Sequence, residues 1–223
     1  MPAADELSPV SAPAMDETAA VPARKRPKPG ERRVQILQAL ATMLEQPGAE
    51  RVTTAALAAR LEVSEAALYR HFASKAQMFE GLIEFIEHTV FALLNQIVPP
   101  GDSAPAASAD TGVRQAGRVV GVLLQFAEKN PGMARVMVGD ALVFENERLQ
   151  QRMNQFFDRV ESTLRQCLRA AAQSAGSDTP TMDAQVRAAV LTAFVMGRLQ
   201  RFTRSGFRRA PSEHLDASLA LML

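Results

Sequence analysis

The sequence predicts an all-α fold, a small three-helix unit followed by a larger helical body, and three observations carry that prediction. No segment alternates apolar and polar residues with the period of two that a half-buried strand requires, and no repeat of fixed period appears. Apolar residues recur instead three and four apart, the longest stripe being Leu149, Met153, Phe156, Val160, Leu164, Cys167 and Leu168. Residues 53 to 79, TTAALAARLEVSEAALYRHFASKAQMF, read as two short helices across a tight turn with a capped third helix behind them.

Taken in chain order, residues 1–29 are rich in Pro and Ala without sustained periodicity, and are expected to be a disordered tail carrying a basic arm. The chain's net charge is only +1, but residues 24 to 33, RKRPKPGERR, hold six Arg or Lys against one Glu. Such a footprint suits a polyanion such as nucleic acid, and the same composition is also that of a solvated basic patch. Ile36, Leu37, Leu40, Met43 and Leu44 keep helical spacing until Pro47-Gly48, giving a first helix. Thr53 stands at an N-cap, with Leu57 and Leu61 four apart on one face and alanines keeping the rest of the second helix slim. The chain reverses at Leu61-Glu62-Val63.

Ser64 can cap the next helix, Glu65 complements the positive end of its dipole, and Leu68 and Phe72 turn inward. The opposite face then carries Ser64, Glu65, Ala67, Tyr69, Arg70 and His71, with Ala66 small enough for a close approach. A major groove admits one α-helix, whose N-terminal residues meet base edges while flanking hydroxyls and cations hold phosphates. Ser74-Lys75-Ala76-Gln77 fits a capping box, and Lys75 with the free N–H groups beside it suits a phosphate. The expected DNA-binding set is therefore Thr53, Thr54, Ser64, Glu65, Ala66, Ala67, Tyr69, Arg70, His71 and Lys75, with Arg32 and Arg33 from the basic run. Thr53 and Lys75 are assigned to phosphates.

The helix opened by Ser74 runs past Leu82, Ile86, Val90 and Leu94 to Pro99-Pro100, long enough to leave the head and enter the body. PGDSAPAASADTG, ending at Gly112, reads as loop, and a helix over about 113–129 follows. Asn130-Pro131 opens a short helix with Asn130 as cap and Pro131 as first helical residue. After the long stripe, Val186, Val190 and Phe194 mark one helix. Leu215, Leu219 and Met222, after a Pro211-Ser212 start, mark the last. Ala189, Ala193 and Gly197 recur every four residues, a bare face suited to close helix approach across a two-fold axis or within the core. Of Phe85 and Phe91, one is expected at the surface, where an apolar side chain can mark a partner site.

Composition excludes several classes. The lone Cys167 leaves no internal disulfide or Cys-rich zinc site, and its place in the apolar stripe reads as buried filler in a reducing compartment. No apolar run nears the roughly 20 residues of a membrane-spanning helix, so no membrane partner is expected. Gly-rich phosphate loops, His-Glu-x-x-His and Gly-x-Ser-x-Gly are absent, and His71, His88 and His214 do not cluster, so neither catalysis nor a metal or other cofactor is expected.

The run Thr53 to Ala58, then Val63-Ser64, Leu68-Tyr69-Arg70-His71-Phe72 and Ser74-Lys75, resembles the DNA-binding domain of the TetR-type transcriptional regulators. Within that family the resemblance extends to the nucleoid occlusion factors of proteobacteria. SEAALYRHF, LIEFIE at 82–87, EKNPG at 128–132, ALVFENERLQQRMNQFFDRVE at 141–161 and RF-RS-F at 201–207 carry it, over roughly residues 32 to 223. One position departs: Glu62 stands where a helix-turn-helix usually has Gly, at a cost of about 1 kcal/mol if φ is positive. The resemblance implies a reading head at 30–90, with its motif at 53–72, and a dimerisation and partner-binding body at 91–223. It implies a homodimer on a near-palindromic duplex, associated with the nucleoid in the cytoplasm, with Ala189, Ala193 and Gly197 at the dimer interface. It also implies a tubulin-like division GTPase as partner, bound near Phe85, Lys129 and Asn130. The wider family implies an alternative, a ligand-responsive repressor of a neighbouring gene; a helical interaction module with a vestigial head is a third reading.

Overall fold

The computed structural model describes residues 30–46, 52–99 and 109–223, which are helical with no strand among them. The tail, the arm before Gly30 and the Pro47-Gly48 stop lie outside the described residues. Nine α-helices follow in order: α1 Glu31–Leu44, α2 Thr54–Arg60, α3 Glu65–Tyr69, α4 Lys75–Ile97, α5 Ala109–Lys129, α6 Pro131–Met137, α7 Glu147–Ser174, α8 Pro180–Arg204 and α9 Leu215–Met222. A 3₁₀ turn, Asp140–Leu142, precedes α7.

The local chemistry of the head follows the sequence closely. Thr53 Oγ1 accepts the Ala56 N–H at 3.1 Å, Ser64 Oγ that of Ala67 at 3.3 Å, and Ser74 Oγ that of Gln77 at 3.2 Å. The capping box closes one residue early, since Gln77 Oε1 accepts from Ala73 and not from Ser74. Glu62 does take the left-handed conformation, φ 54°. The strain of about 1 kcal/mol is therefore present, and the buried Leu57, Leu68 and Phe72 on either side of the turn outweigh it.

α4 joins the two parts. Met78, Phe79 and Leu82 are buried beneath the head with Ile36, Leu40 and Phe72, while Ile86, Val90, Leu94 and Ile97 are buried in the body against α5 and α7. Arg152 of α7 grips α4 with a fork, its Nε and Nη2 donating to the two carboxylate oxygens of Glu87 at 3.2 and 2.7 Å. That hydrogen bond, aided by Glu84 and Glu80, raises the Arg152 pKa. A second joint is α6, which rests on α1 so closely that a Cβ on Gly132 would run into the Ala41 carbonyl. α7 and α8 form the long pair of the body, with Leu149 to Leu168 buried as the stripe requires. Burial pushes the Cys167 thiol up to about 11, so it is unreactive filler at neutral pH.

Three boundaries or caps differ from the sequence reading, each for a local reason. α5 begins at Ala109, not near 113. Asp110 favours its first turn, and Gly112 is a contact point rather than a breaker, since a Cβ there would collide with the Cys167 carbonyl of α7. Asn130 holds the N-cap position of α6 but caps nothing with its side chain; its amide donates to the Phe126 carbonyl at 2.7 Å, closing α5 instead. Ser212 does not open the last helix either, because its hydroxyl donates to Glu128 at 2.6 Å and α9 starts after His214, which has φ 54°. On α8 the stripe Val186 and Val190 faces outward, at 55% and 48% exposure, with Phe194 half-buried. The core side is Ala184, Ala188, Leu191, Val195, Leu199 and Phe202.

Two expectations follow. Gly132→Ala should destabilise the fold by about 1–3 kcal/mol, the cost of forcing atoms into a packed contact, and thermal unfolding reads it directly. Thr192 Oγ1 is buried without a hydrogen-bond partner, so Thr192→Val should stabilise by about 1 kcal/mol and raise Tm by about 2–4 °C. A fall in Tm would show that the hydroxyl has a partner.

Candidate nucleic-acid interface

The expected DNA-binding residues lie on α1, α2, α3, their connecting turns and the start of α4, and their contacts separate those already engaged from those left open. The first group is already engaged. Thr54 Oγ1 donates to Glu65 Oε2 at 2.6 Å, so the glutamate at the start of α3 locks α2 to α3. Arg33 Nη1 donates to the His71 carbonyl at 2.6 Å and its guanidinium lies 4.2 Å from the centre of the Phe72 ring, pinning α1 to the end of α3. Arg32 Nη1 donates to Gln35 Oε1 at 2.9 Å. The Thr54–Glu65 and Arg33–His71 bonds hold α3 at its angle, while the Arg32 bond stays within α1.

The second group is open to a groove. Ser64, Ala66, Tyr69 and Arg70 are exposed, Tyr69 at 46%, and Ala67 and His71 are half-buried beside them. α3 is five residues long, and Arg70 and His71 continue past it in a turn tied by His71 and Phe72 N–H bonds to the Leu68 carbonyl. A short helix with small residues at its centre lets backbone approach base edges, while one ring and one guanidinium reach furthest. Thr53 is exposed, and its oxygen accepts from Ala56, which leaves the hydroxyl proton for a phosphate.

Lys75, expected at a phosphate, is engaged with the body. Its Nζ lies 2.5 Å from Glu145 Oε1, with the glutamate side chain only 10% exposed, and 5.7 Å from the centre of the Phe79 ring. Glu145 comes from the segment between the 3₁₀ turn and α7, so the pair bridges head and body. Seventy residues separate the partners in sequence, and no motif or periodicity signals such a pairing. Just before it, Val143 and Phe144 are exposed at 59% each.

The other expected sites lie elsewhere. Phe85 is 47% exposed on α4 and Lys129 is exposed at the end of α5, but no contact among the described residues joins them; Asn130 is spent on the Phe126 carbonyl. Phe91 is instead enclosed, edge-on to Phe156 with centroids 5.5 Å apart and with the Arg159 guanidinium 3.8 Å from its own ring centre. Ala189, Ala193 and Gly197 are exposed on α8, and a Cβ on Gly197 would meet nothing within 4 Å. No group of three or more His, Cys, Asp or Glu among the described residues could hold a metal ion, and no described helix is long and apolar enough to cross a membrane.

Known proteins resemble both halves. Residues 36–82 match the model of the bacterial regulatory proteins of the tetR family, and residues 110–223 match the SlmA-like model, described as a tetracycline repressor-like C-terminal domain. The nucleoid occlusion factor SlmA of Vibrio vulnificus is 48% identical over 196 residues, 87% of this chain and 95% of that one. Its counterpart in Vibrio cholerae is 49% identical over 192 residues, 86% and 93% of the two chains. Among solved structures, the TetR family regulator PfmR of Thermus thermophilus superposes with a TM-score of 0.63 at 19% identity, over 86% of this chain and 95% of that one. AibR in complex with isovaleryl coenzyme A and operator DNA gives 0.64 at 15%, over 86% and 97%. At such identities these two show the fold alone.

If Lys75 is drawn to a phosphate, Glu145 competes with it. Glu145→Gln should therefore raise affinity for specific and random duplexes alike by about two- to fivefold, the 0.5–1 kcal/mol of a partly exposed ion pair. Lys75→Ala should lower the salt slope by about one ion and erase the gain of the glutamine variant. Titrations by fluorescence anisotropy at several salt concentrations read both, and an unchanged affinity in Glu145→Gln would remove the competition.

Proposed function

The chain belongs to the TetR family, in the branch of the nucleoid occlusion factors SlmA, and from that membership we propose that it binds near-palindromic chromosomal sites as a homodimer and inhibits division-ring assembly over the DNA. The observation that carries this reading is the extent of the likeness, close to half of the aligned residues identical through head and body together. A likeness confined to the head would favour a repressor of a neighbouring gene equally, and the body is where such regulators diverge.

Three features of the molecule support the details. α3 presents Tyr69 and Arg70 outward on a helix fixed by the Thr54–Glu65 and Arg33–His71 bonds, as a reader of base edges requires. Met182, Val186, Val190 and Met196 leave a continuous apolar strip on α8 beside the bare Ala189, Ala193 and Gly197. A second copy covering that strip would remove it from water and set two α3 helices about 34 Å apart, one turn of B-DNA. Phe85 offers an apolar anchor and Lys129 a charge suited to an acidic tail of the tubulin-like division GTPase. The anchor sits on α4, so DNA at Lys75 and partner at Phe85 act on one helix. Coupling between them is reciprocal wherever each shifts the same equilibrium.

A chromosome-wide binding map should show many sites, sparse near the replication terminus; a single site beside its own gene would mark a local repressor. Val186→Asp should yield monomers by light scattering and lose the preference for a palindromic over a scrambled duplex. Phe85→Ala and Lys129→Glu should abolish division inhibition while leaving DNA affinity within about threefold, roughly 0.7 kcal/mol. Persistent division block in both at normal expression would sink the partner assignment.

A further inference from the structure

The body carries a second concentration of positive charge, far along the chain from the run at 24–33. RLQRFTRSGFRR, residues 198 to 209, holds five arginines, Arg198, Arg201, Arg204, Arg208 and Arg209, and no acid. Since the whole chain is only +1, the remainder outside the two basic runs is net negative, so this charge is concentrated and not a general property of the surface. Arg201, Arg204, Arg208 and Arg209 are exposed, and none of the five is within ion-pair distance of a carboxylate among the described residues. Asp140 accepts from Thr203 at 3.3 Å, and Glu213, 3.6 Å from His214, is the one acid that shares the cleft of these arginines.

The backbone gathers these side chains. α8 ends at Arg204, and Gly206 and Phe207 both take positive φ, 63° and 64°. Phe207 is held in that conformation by its ring, edge-on to Phe202 with centroids 5.1 Å apart and facing the Arg135 guanidinium of α6 at 5.1 Å. The reversal returns Arg209 to the side of Arg198 and Arg201, and the three line a cleft of about 230 Å³ with Glu213 and His214.

Topology fixes where this cluster lies. α7 starts beside Glu145, which holds Lys75 at the reading head, and α8 packs along α7 and returns towards the same end. Thr203 bonded to Asp140, and Phe207 against Arg135, tie the end of α8 to the segment that rests on α1. The arginines are thus on the head-facing end of the body, at the foot of the strip through which two copies would pair.

We propose that this cluster is a second DNA-contacting surface, in which both copies of the Arg201–Arg209 turn meet the phosphates at the centre of the site, between the half-sites read by the two α3 helices. This rests on the dimeric reading above. Guanidinium forks fit phosphate oxygens two at a time and stay charged at every physiological pH. Contacts to backbone alone add affinity without choosing bases.

The test compares the full-length wild type with a triple variant, Arg201→Gln, Arg204→Gln and Arg209→Gln, leaving Arg198 to hold Ser218. Anisotropy titrations use the selected duplex, a random duplex, and the selected duplex with uncharged methylphosphonates at its central steps. The variant should remain dimeric, lose about three- to tenfold in affinity on both charged duplexes, and show a salt slope shallower by at least about one ion. Site selection should return the same motif. Central methylphosphonates should weaken the wild type and leave the variant unchanged. Wild-type affinity and slope in the variant, or an equal loss for both proteins on the methylphosphonate duplex, would overturn the proposal. So would a variant that binds DNA normally but loses an acidic peptide or anionic vesicles. If the wild type itself fails to prefer the palindrome, that failure belongs to the dimeric reading, and the random duplex still tests the arginines.

Discussion

The joining of head and body depends on the burial of α4 in two places at once. Met78, Phe79 and Leu82 belong to the packing of the head, and Ile86, Val90, Leu94 and Ile97 to that of the body. Each such side chain contributes about 1.5–3 kcal/mol by leaving water, so neither core can release the helix cheaply. The helix is therefore held at both ends by apolar packing, and the side chains on its open surface share that one support. Lys75 at its first turn, Glu87 in the grip of Arg152 and Phe85 on the exposed side are all carried by that one helix.

Against this hydrophobic anchor the polar contacts are small, and their placement matters more than their strength. The Lys75–Glu145 pair is worth at most about 1 kcal/mol, yet it spans the seam between head and body and involves a cation that phosphates would also attract. Arg33 and Glu65 show the same economy. Both have the chemistry to touch DNA, and both are committed to holding α3 at a fixed angle. A reading helix of five residues has too few bonds of its own to keep its orientation, so residues around it must supply that rigidity.

The head was largely legible in the sequence and the body less so, for a physical reason. Caps, turn and short helices are decided within four or five residues, which is why Thr53, Ser64, Ser74 and even the strained Glu62 could be assigned before any coordinates. In the body the deciding contacts are long-range. Ser212 bonds Glu128 across the fold, Gly112 is defined by Cys167 on another helix, and Glu145 meets Lys75 with nothing local to announce it. The stripe Val186, Val190 and Phe194 marked α8 correctly but left its covering surface open, because periodicity carries no record of whether that surface belongs to the same chain.

α8 accordingly has two apolar sides with different demands. Ala184, Ala188, Leu191, Val195 and Leu199 fill the body, while Met182, Val186, Val190 and Met196 are left exposed among the described residues. An isolated protomer would expose that strip to water along most of a 25-residue helix, an arrangement that soluble proteins keep for partner surfaces. The arginines at the end of the same helix make the geometry asymmetric, apolar along its length and cationic at its foot. A second copy satisfies the first part by burial and aggravates the second by bringing like charges together. Pairing through α8 would therefore bring like charges together at the end facing the reading heads, and a polyanion lying across the two-fold axis would relieve their repulsion.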